Sequence, residues 1–259
     1  MIVEPKREIL LVPLLRAGLR RSWTARDHFL RLAIIPLAVM LTVMVPLQQA
    51  IFQTMAGAHA GSIEAESGAM PQVALLTIVY AAALNVFAVN WLRQLTLGMS
   101  AAPGVGLSLS GRHLRFFLLI MATSIGSGFL AVILMMVLSG FGIPGALAAL
   151  MASLLLWAAL VIRISPTWIG IALDAPMRLR VAWRRTAGQG FKLLIALLAV
   201  EVPLMFVQQA ISALFVVTGF VSVAPMTFIL IPVILQLIGT AVQLAILVTG
   251  FPYFLRETV

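Results

Sequence analysis

The chain has no cysteine, two lysines, two tyrosines and eight acidic residues among its 259 positions. Without cysteine there are no disulfides, no thiolate metal ligands and no cysteine nucleophile. Charged residues make up 10% of the sequence, against about 25% in an ordinary soluble domain. So few charges cannot cover the surface of a soluble globule of this length, which argues against a water-soluble enzyme fold. What takes their place is apolar: the hydrophobic fraction is 62%, where about 45–50% is usual. The 17 Lys and Arg against 8 Asp and Glu leave a formal net charge of +9. In a soluble chain that surplus would point to nucleic acid, so its meaning depends on where the charges lie.

A bilayer core about 30 Å thick takes roughly 20 mostly apolar residues in a helix. Six stretches meet that test: 32–52, 72–92, 116–138, 145–164, 193–215 and 228–251. The fourth is the shortest, so five spans is the competing count. The start of the chain does not read as a signal peptide, because acidic residues interrupt it and no small-residue cleavage site follows. The basic residues decide between the counts. Seven lie at or before Arg31, three are Arg93, Arg112 and Arg115, six lie from Arg163 to Lys192, and Arg256 is the last. The connections 53–71, 139–144 and 219–227 hold no Lys or Arg. Six spans place every basic residue on one side, and the positive-inside rule makes that side cytoplasmic, with both termini inside. Five spans would scatter the same charges over both faces.

The chain also resembles itself. Leu15-Arg16-Ala17-Gly18-Leu19-Arg20-Arg21-Ser22 reads like Leu179-Arg180-Val181-Ala182-Trp183-Arg184-Arg185-Thr186, an offset of 164. Gln48-Gln49-Ala50-Ile51 recurs as Gln208-Gln209-Ala210-Ile211, and Leu92-Arg93-Gln94 as Leu255-Arg256-Glu257. This pattern predicts an all-α membrane protein with three helical hairpins, each closed by an arginine at the cytoplasmic surface; biased apolar composition also produces such matches by chance. The two octets predict basic amphipathic helices before the first and fifth spans. At 100° per residue Leu11, Leu15, Gly18 and Ser22 share one face with Arg16, Arg20 and Arg21 off it. In the second octet Leu179, Ala182, Trp183 and Thr186 are flanked by Arg178, Arg180, Arg184 and Arg185. Such helices lie in the headgroup plane with their arginines at anionic lipid phosphates, or else simply anchor the chain and set its topology. Trp23, Trp91, Trp168 and Trp183 are expected at the same interface.

Glu201 is the one acidic residue inside a span, near the bilayer midplane, where an ionised carboxylate is costly. Comparable depths belong to Asn85 and Tyr80 in the second span and Gln243 in the sixth. These four form a candidate intramembrane polar site, read either as a structural hydrogen bond to a protonated Glu201 or as a proton or substrate site. Pro36, Pro46, Pro203 and Pro232 lie inside spans, where neighbouring groups often satisfy the carbonyls they free. Small residues at spacing four, Ala122 with Gly126, Ser124 with Gly128, and Gly145 with Ala149 and Ser153, predict close packing of the third and fourth spans. No metal site is expected from His59, Glu64 and Glu66, which lie in a Gly- and Ala-rich connection. Gly104, Gly106 and Gly111 follow no strand, so they do not read as a dinucleotide fingerprint. His28, His59 and His113 adjoin no nucleophile elbow, and neither a catalytic residue nor a cofactor is expected.

The segment Ala182-Trp183-Arg184-Arg185-Thr186-Ala187-Gly188, read together with a surface stretch Arg163-Ile164-Ser165-Pro166, resembles the region before the fifth helix of a bacterial membrane-domain family. That six-helix family is attached to some glycerophosphodiester phosphodiesterases and has stand-alone relatives. The resemblance covers the span layout, with its sharpest motif about 25 residues long, and the soluble catalytic barrel of those phosphodiesterases is lacking here. It therefore implies a membrane module and carries over no hydrolase activity.

The expected function is that of a non-enzymatic protein of a bacterial inner membrane, a scaffold or regulator in envelope or lipid homeostasis. Its partners are membrane lipids, with anionic headgroups on the cytoplasmic side and no nucleic acid; a protein partner or a homo-oligomer is left open. Fifteen arginines against two lysines, with abundant Ala and Leu, fit a GC-rich bacterial genome. The alternative is a small transporter or lipid-translocating protein with a midplane site around Glu201. An intramembrane enzyme is a third reading, for which there is no nucleophile–base pair.

Overall fold

A computed structural model describes residues 10–60, 63–98, 110–218 and 225–255. These residues are almost entirely helical, with no strand among them. The helices are α1 (Leu11–Thr24), α2 (Arg26–Ala60), α3 (Ile63–Leu97), α4 (Gly111–Leu138), α5 (Gly142–Ala172), α6 (Leu179–Arg185), α7 (Gly190–Val217) and α8 (Pro225–Leu255). Six of them, α2 to α5, α7 and α8, are long and apolar enough to cross a membrane. By this criterion the chain is a multi-pass membrane protein, with six candidate spans among the described residues. Both short basic octets are helical, as their arginine spacing predicted.

The chain divides into two compact units. One holds the described parts of Met1–Trp23, Leu109–Ala199 and Gln243–Val259; the other holds those of Thr24–Ser108 and Val200–Val242.

In the first unit α4 packs along α5 through a tight connection, a 3-10 turn at Ser139–Phe141. Gly142 sits there at φ 73°, a backbone conformation that glycine adopts without penalty. A Cβ on Gly145 would run into the carbonyl oxygen of Leu138. The turn, rather than helix packing, is what demands a glycine at 145. The predicted small face of α4 is likewise corrected: Ala122, Ser124, Gly126 and Gly128 are all exposed, and a Cβ on either glycine would meet nothing. His113, Phe116 and Ser127 are the buried α4 residues instead, with Ala149 facing inward from α5.

Helix α4 begins at Ser110, whose backbone N–H donates to His113 Nδ1 at 3.2 Å. Histidine here takes the role that Glu or Gln fills in a capping box, satisfying a backbone donor at the helix start. Helix α5 ends in a Schellman motif, with Ala175 N–H donating to Gly170 O at 2.9 Å and Asp174 N–H to Ile171 O at 3.3 Å. The left-handed residue of that motif is Asp174, at φ 60°, and aspartate tolerates this region better than most side chains. Asp174 Oδ2 also accepts a hydrogen bond from Arg112 Nη1 at 2.8 Å. This pair joins the end of α5 to the first turn of α4, where a carboxylate is favoured by the helix dipole and an arginine alone is not.

In the second unit α2 packs along α3. Phe29 meets Phe87 edge-on at 5.6 Å and Trp91 edge-on at 5.8 Å, while Phe87 and Trp91 stack at 6.0 Å. Phe87 and Trp91 are fully buried. Helices α7 and α8 also touch here. Leu204 lies against Gly239, whose added Cβ would stand 2.9 Å from its Cδ1, and Phe215 meets Phe228 at 6.0 Å between ring centroids. The two contacts are eleven residues apart on each helix and run in opposite directions. That register is antiparallel and places Glu201 level with residue 242.

Candidate functional site

The basic residues of the first unit lie on α1, near the end of α5 and around α6. On α1, Leu14 and Gly18 are buried, Leu11, Leu15 and Ser22 are partly covered, and Arg16 and Arg20 are exposed. The predicted apolar face is therefore the one that packs, and it packs on protein. A Cβ at Gly18 would stand 2.6 Å from Ile246 Cγ1 and 3.0 Å from Ile246 Cα, so α1 presses backbone to backbone against the end of α8. Arg21 is half-buried, and desolvation pushes its guanidinium below the ordinary range; an arginine remains charged under any such shift.

The second octet follows the same rule with a different anchor. Ala182 and Thr186 of the α6 region are fully buried. Gly18 and Ala182 occupy equivalent places in the two octets, and each is the small residue that lets its helix approach the body of the protein. Thr186 Oγ1 donates to Ala182 O at 3.0 Å. Leu179 and Trp183 are 47% and 46% exposed, so only half of the predicted apolar face meets protein. Arg163 holds the turn in place from α5: its Nη1 donates to Trp183 O at 3.2 Å, and its guanidinium carbon lies 5.4 Å from the centroid of the Trp183 ring. Hydrogen bond and cation–π contact act together on one side chain. Arg178, Arg180 and Arg184 are exposed around this clamp, and Arg185 is partly covered.

Two sequence expectations fail at this point. The stretch 163–166 is not a surface segment: α5 continues through it to Ala172, and Ile164, Ser165, Pro166 and Thr167 are buried. Pro166 has no N–H for the carbonyl of Ile162, and Ser165 Oγ donates to that carbonyl instead, at 2.8 Å. This repair is why the helix runs on. The four tryptophans also divide. Trp23 and Trp183 are open, whereas Trp91 and Trp168 are interior. Trp168 packs against Phe116 at 6.2 Å, and its Nε1 is buried without a hydrogen-bond partner among the described residues, like Thr167 Oγ1 beside it.

The intramembrane candidates can be placed along the apolar windows of their helices. Glu201 is within two residues of the middle of the apolar window Gly190–Phe215, and Asn85 within one of the middle of Pro71–Leu97. Tyr80 lies four residues from that second middle, and Gln243 about four from the middle of Thr227–Pro252. Asn85 is buried, whereas Tyr80, Glu201 and Gln243 are partly exposed. Asn85, Glu201 and Gln243 each take part in a polar interaction. What sequence reasoning missed is that α3 carries a longer buried polar set: Asn90 is fully buried and Gln94 is 9% exposed. Trp91 belongs with it, its indole Nε1 donating to Ala241 O of α8 at 2.9 Å in a buried setting. The run Asn90-Trp91-Leu92-Arg93-Gln94 looks interfacial because it is polar and carries an arginine; no periodicity in it marks which side faces in.

Among the described residues no three His, Asp or Glu side chains converge as metal ligands would. The side chains of His59, Glu64 and Glu66 lie outside the described set, as do Arg256 and the glycines at 104 and 106. No protein family, curated protein or solved structure matches the chain.

Removing the Arg163 clamp tests how α6 is held. Arg163→Leu keeps bulk but loses the hydrogen bond to Trp183 O and the ring contact, which are worth about 1–3 kcal/mol together. The expected result is faster amide hydrogen exchange across 179–186, by roughly ten-fold, with exchange in α4 unchanged. Unchanged exchange in α6 would show that Ala182 and Thr186 suffice to seat it.

Proposed function

We propose that the chain is a non-enzymatic scaffold or regulator of a bacterial inner membrane, in envelope or lipid homeostasis, whose basic end engages anionic headgroups of the cytoplasmic leaflet. Both termini then lie in the cytoplasm and the six spans form three hairpins, in keeping with the resemblance to the membrane modules of glycerophosphodiester phosphodiesterases. The observation that carries this reading is the Arg163–Trp183 clamp, which fixes a short helix with Arg178, Arg180 and Arg184 turned outward. The half-exposed Leu179 and Trp183 beside them supply the apolar contact that a headgroup layer accepts. Arg16 and Arg20 on α1 are exposed as well, while Arg21 and Arg185 are partly covered.

A polybasic surface gains about 1 kcal/mol per arginine against anionic lipid at moderate ionic strength. Replacing Arg180, Arg184 and Arg185 together with glutamine in the full chain should therefore lower retention of anionic lipid through detergent purification, measured by mass spectrometry of the bound lipids. Retention of zwitterionic lipid should stay the same, and added salt should weaken the wild-type preference. An unchanged ratio of anionic to zwitterionic lipid in the triple variant would reject the headgroup contact and leave the arginines as topology signals alone.

A further inference from the structure

Three sides of α1 differ in what they present. Leu14 and Gly18 are buried, and Gly18 meets Ile246 of α8. About 140° round the helix from them, at 100° per residue, stand Val12, Leu19 and Trp23, grouped within about 40° of one another. They are 67%, 49% and 69% exposed. About 60° further round come Arg16 and Arg20, both exposed. An open apolar ridge on a helix too short to span a bilayer marks a surface that something covers.

The second octet repeats this order. Gly18 and Ala182 are buried at equivalent places, and Leu19 and Trp183 follow them at 49% and 46% exposed. Arg16 and Arg20 match Arg180 and Arg184, all exposed, while Arg21 and Arg185 are both partly covered. Each helix passes from packed side to apolar side to basic side in the same rotational sense. That order suits a helix lying along a boundary between hydrocarbon and charged headgroups.

The depth of α1 identifies what covers its ridge. Ile246 lies inside the 26-residue apolar window Thr227–Pro252 of α8, between six and seven residues from its middle. With that window centred on the bilayer, Ile246 is roughly 10 Å from the midplane at 1.5 Å per residue, and half a hydrocarbon core is about 15 Å. Gly18 thus meets α8 about 5 Å inside the edge of the hydrocarbon, within the range at which amphipathic helices embed. Side chains open to the outside at this level meet acyl chains, and the arginines beside them reach outward to phosphate oxygens. A protein partner is a poorer fit. Three side chains bordered by arginines fall far short of the roughly 1,000 Å² that a specific interface covers.

We infer that α1 is embedded along the membrane boundary, with Val12, Leu19 and Trp23 in the acyl chains and Arg16 and Arg20 at the lipid phosphates. The embedded side is not the Leu11, Leu15, Gly18 and Ser22 face that helical spacing marks as apolar, because protein takes up that face. This goes beyond the headgroup contact proposed above: apolar insertion requires no anionic lipid, so a bilayer without it tests α1 alone.

The chain has no native cysteine, so nitroxide labels can be placed singly in the full chain. Val12→Cys, Leu19→Cys and Ala17→Cys are labelled and reconstituted in phosphatidylcholine vesicles. Relaxation by oxygen, which concentrates in lipid, is compared with relaxation by a water-soluble nickel chelate. Ala17 is exposed and stands about 140° from the ridge, on the side away from it. Oxygen should dominate at 12 and 19 and the chelate at 17, a reversal within one helix. Dominance of the chelate at 12 and 19 would place the ridge in water and overturn the inference. Low accessibility to both reagents there would show that a second copy or another part of the chain covers the ridge, and overturns it too. So does equal accessibility at 17 and 19. Because these vesicles hold no anionic lipid, failure of the α6 headgroup contact leaves this result standing, and failure here leaves the lipid-retention test of the α6 arginines standing.

Discussion

Gly18→Leu is expected to lift α1 off the end of α8 and to lower the thermal stability of the purified protein by about 1–3 kcal/mol, the usual range for overpacking a close contact. The modest variant is the more telling one. Glycine inside a helix is worse than alanine by roughly 0.5–1 kcal/mol, so helix propensity alone makes Gly18→Ala stabilising. Contact geometry reverses the sign. The new Cβ would stand 2.6 Å from Ile246 Cγ1 and 3.0 Å from Ile246 Cα, and a backbone atom cannot rotate away. Gly18→Ala should therefore destabilise, with faster tryptic cleavage at Arg20 and Arg21 as α1 loosens. A rise in melting temperature in the alanine variant would show that α1 does not bear on Ile246. The matching change in the second octet, Ala182→Gly, has no such clash to relieve.

Trp91→Ala should be the most damaging single substitution within the second unit. The indole is fully buried, stacked on Phe87 and edge-on to Phe29, with its N–H on Ala241 O. Truncating a buried tryptophan costs about 3–5 kcal/mol through lost contacts and the cavity left behind. Trp91→Phe separates the parts, because it keeps an aromatic ring against Phe29 and Phe87 and removes the N–H. Its cost should fall to about 1–2 kcal/mol, one buried hydrogen bond plus imperfect filling. Denaturant titration in mixed micelles gives both values. Equal losses in the two variants would locate the energy in the hydrogen bond to α8; a loss under 1 kcal/mol for Trp91→Ala would contradict the burial of the ring.

The two predictions rest on contacts that cannot be read from sequence, and they show where legibility stops. Arginine spacing correctly marks α1 and α6 as amphipathic helices and even selects the face that packs, since Leu11, Leu15, Gly18 and Ser22 recur at helical spacing. It does not say what that face packs on. Small residues at spacing four on α4 imitate a helix interface and yet face outward, while the glycine at 145 answers to a turn. Around Arg163, Ser165 and Pro166 the residue types read as a membrane boundary. They lie inside a continuous helix because a serine hydroxyl takes over the bond that proline cannot make, and because Trp183 offers the arginine a carbonyl and a ring.

Sequence alone determined the class of the molecule. Runs of about 20 apolar residues are required by bilayer thickness, and the clustering of basic residues into alternate connections chose six spans over five. Both are one-dimensional facts, set by length, hydropathy and charge along the chain. Which side of each helix is covered is not one-dimensional in a protein whose helices are apolar all round, because no polar face marks the outside. Tertiary structure decided that: the seat of α1 on Ile246, the Arg163 clamp on α6, and the buried amides and indole of α3.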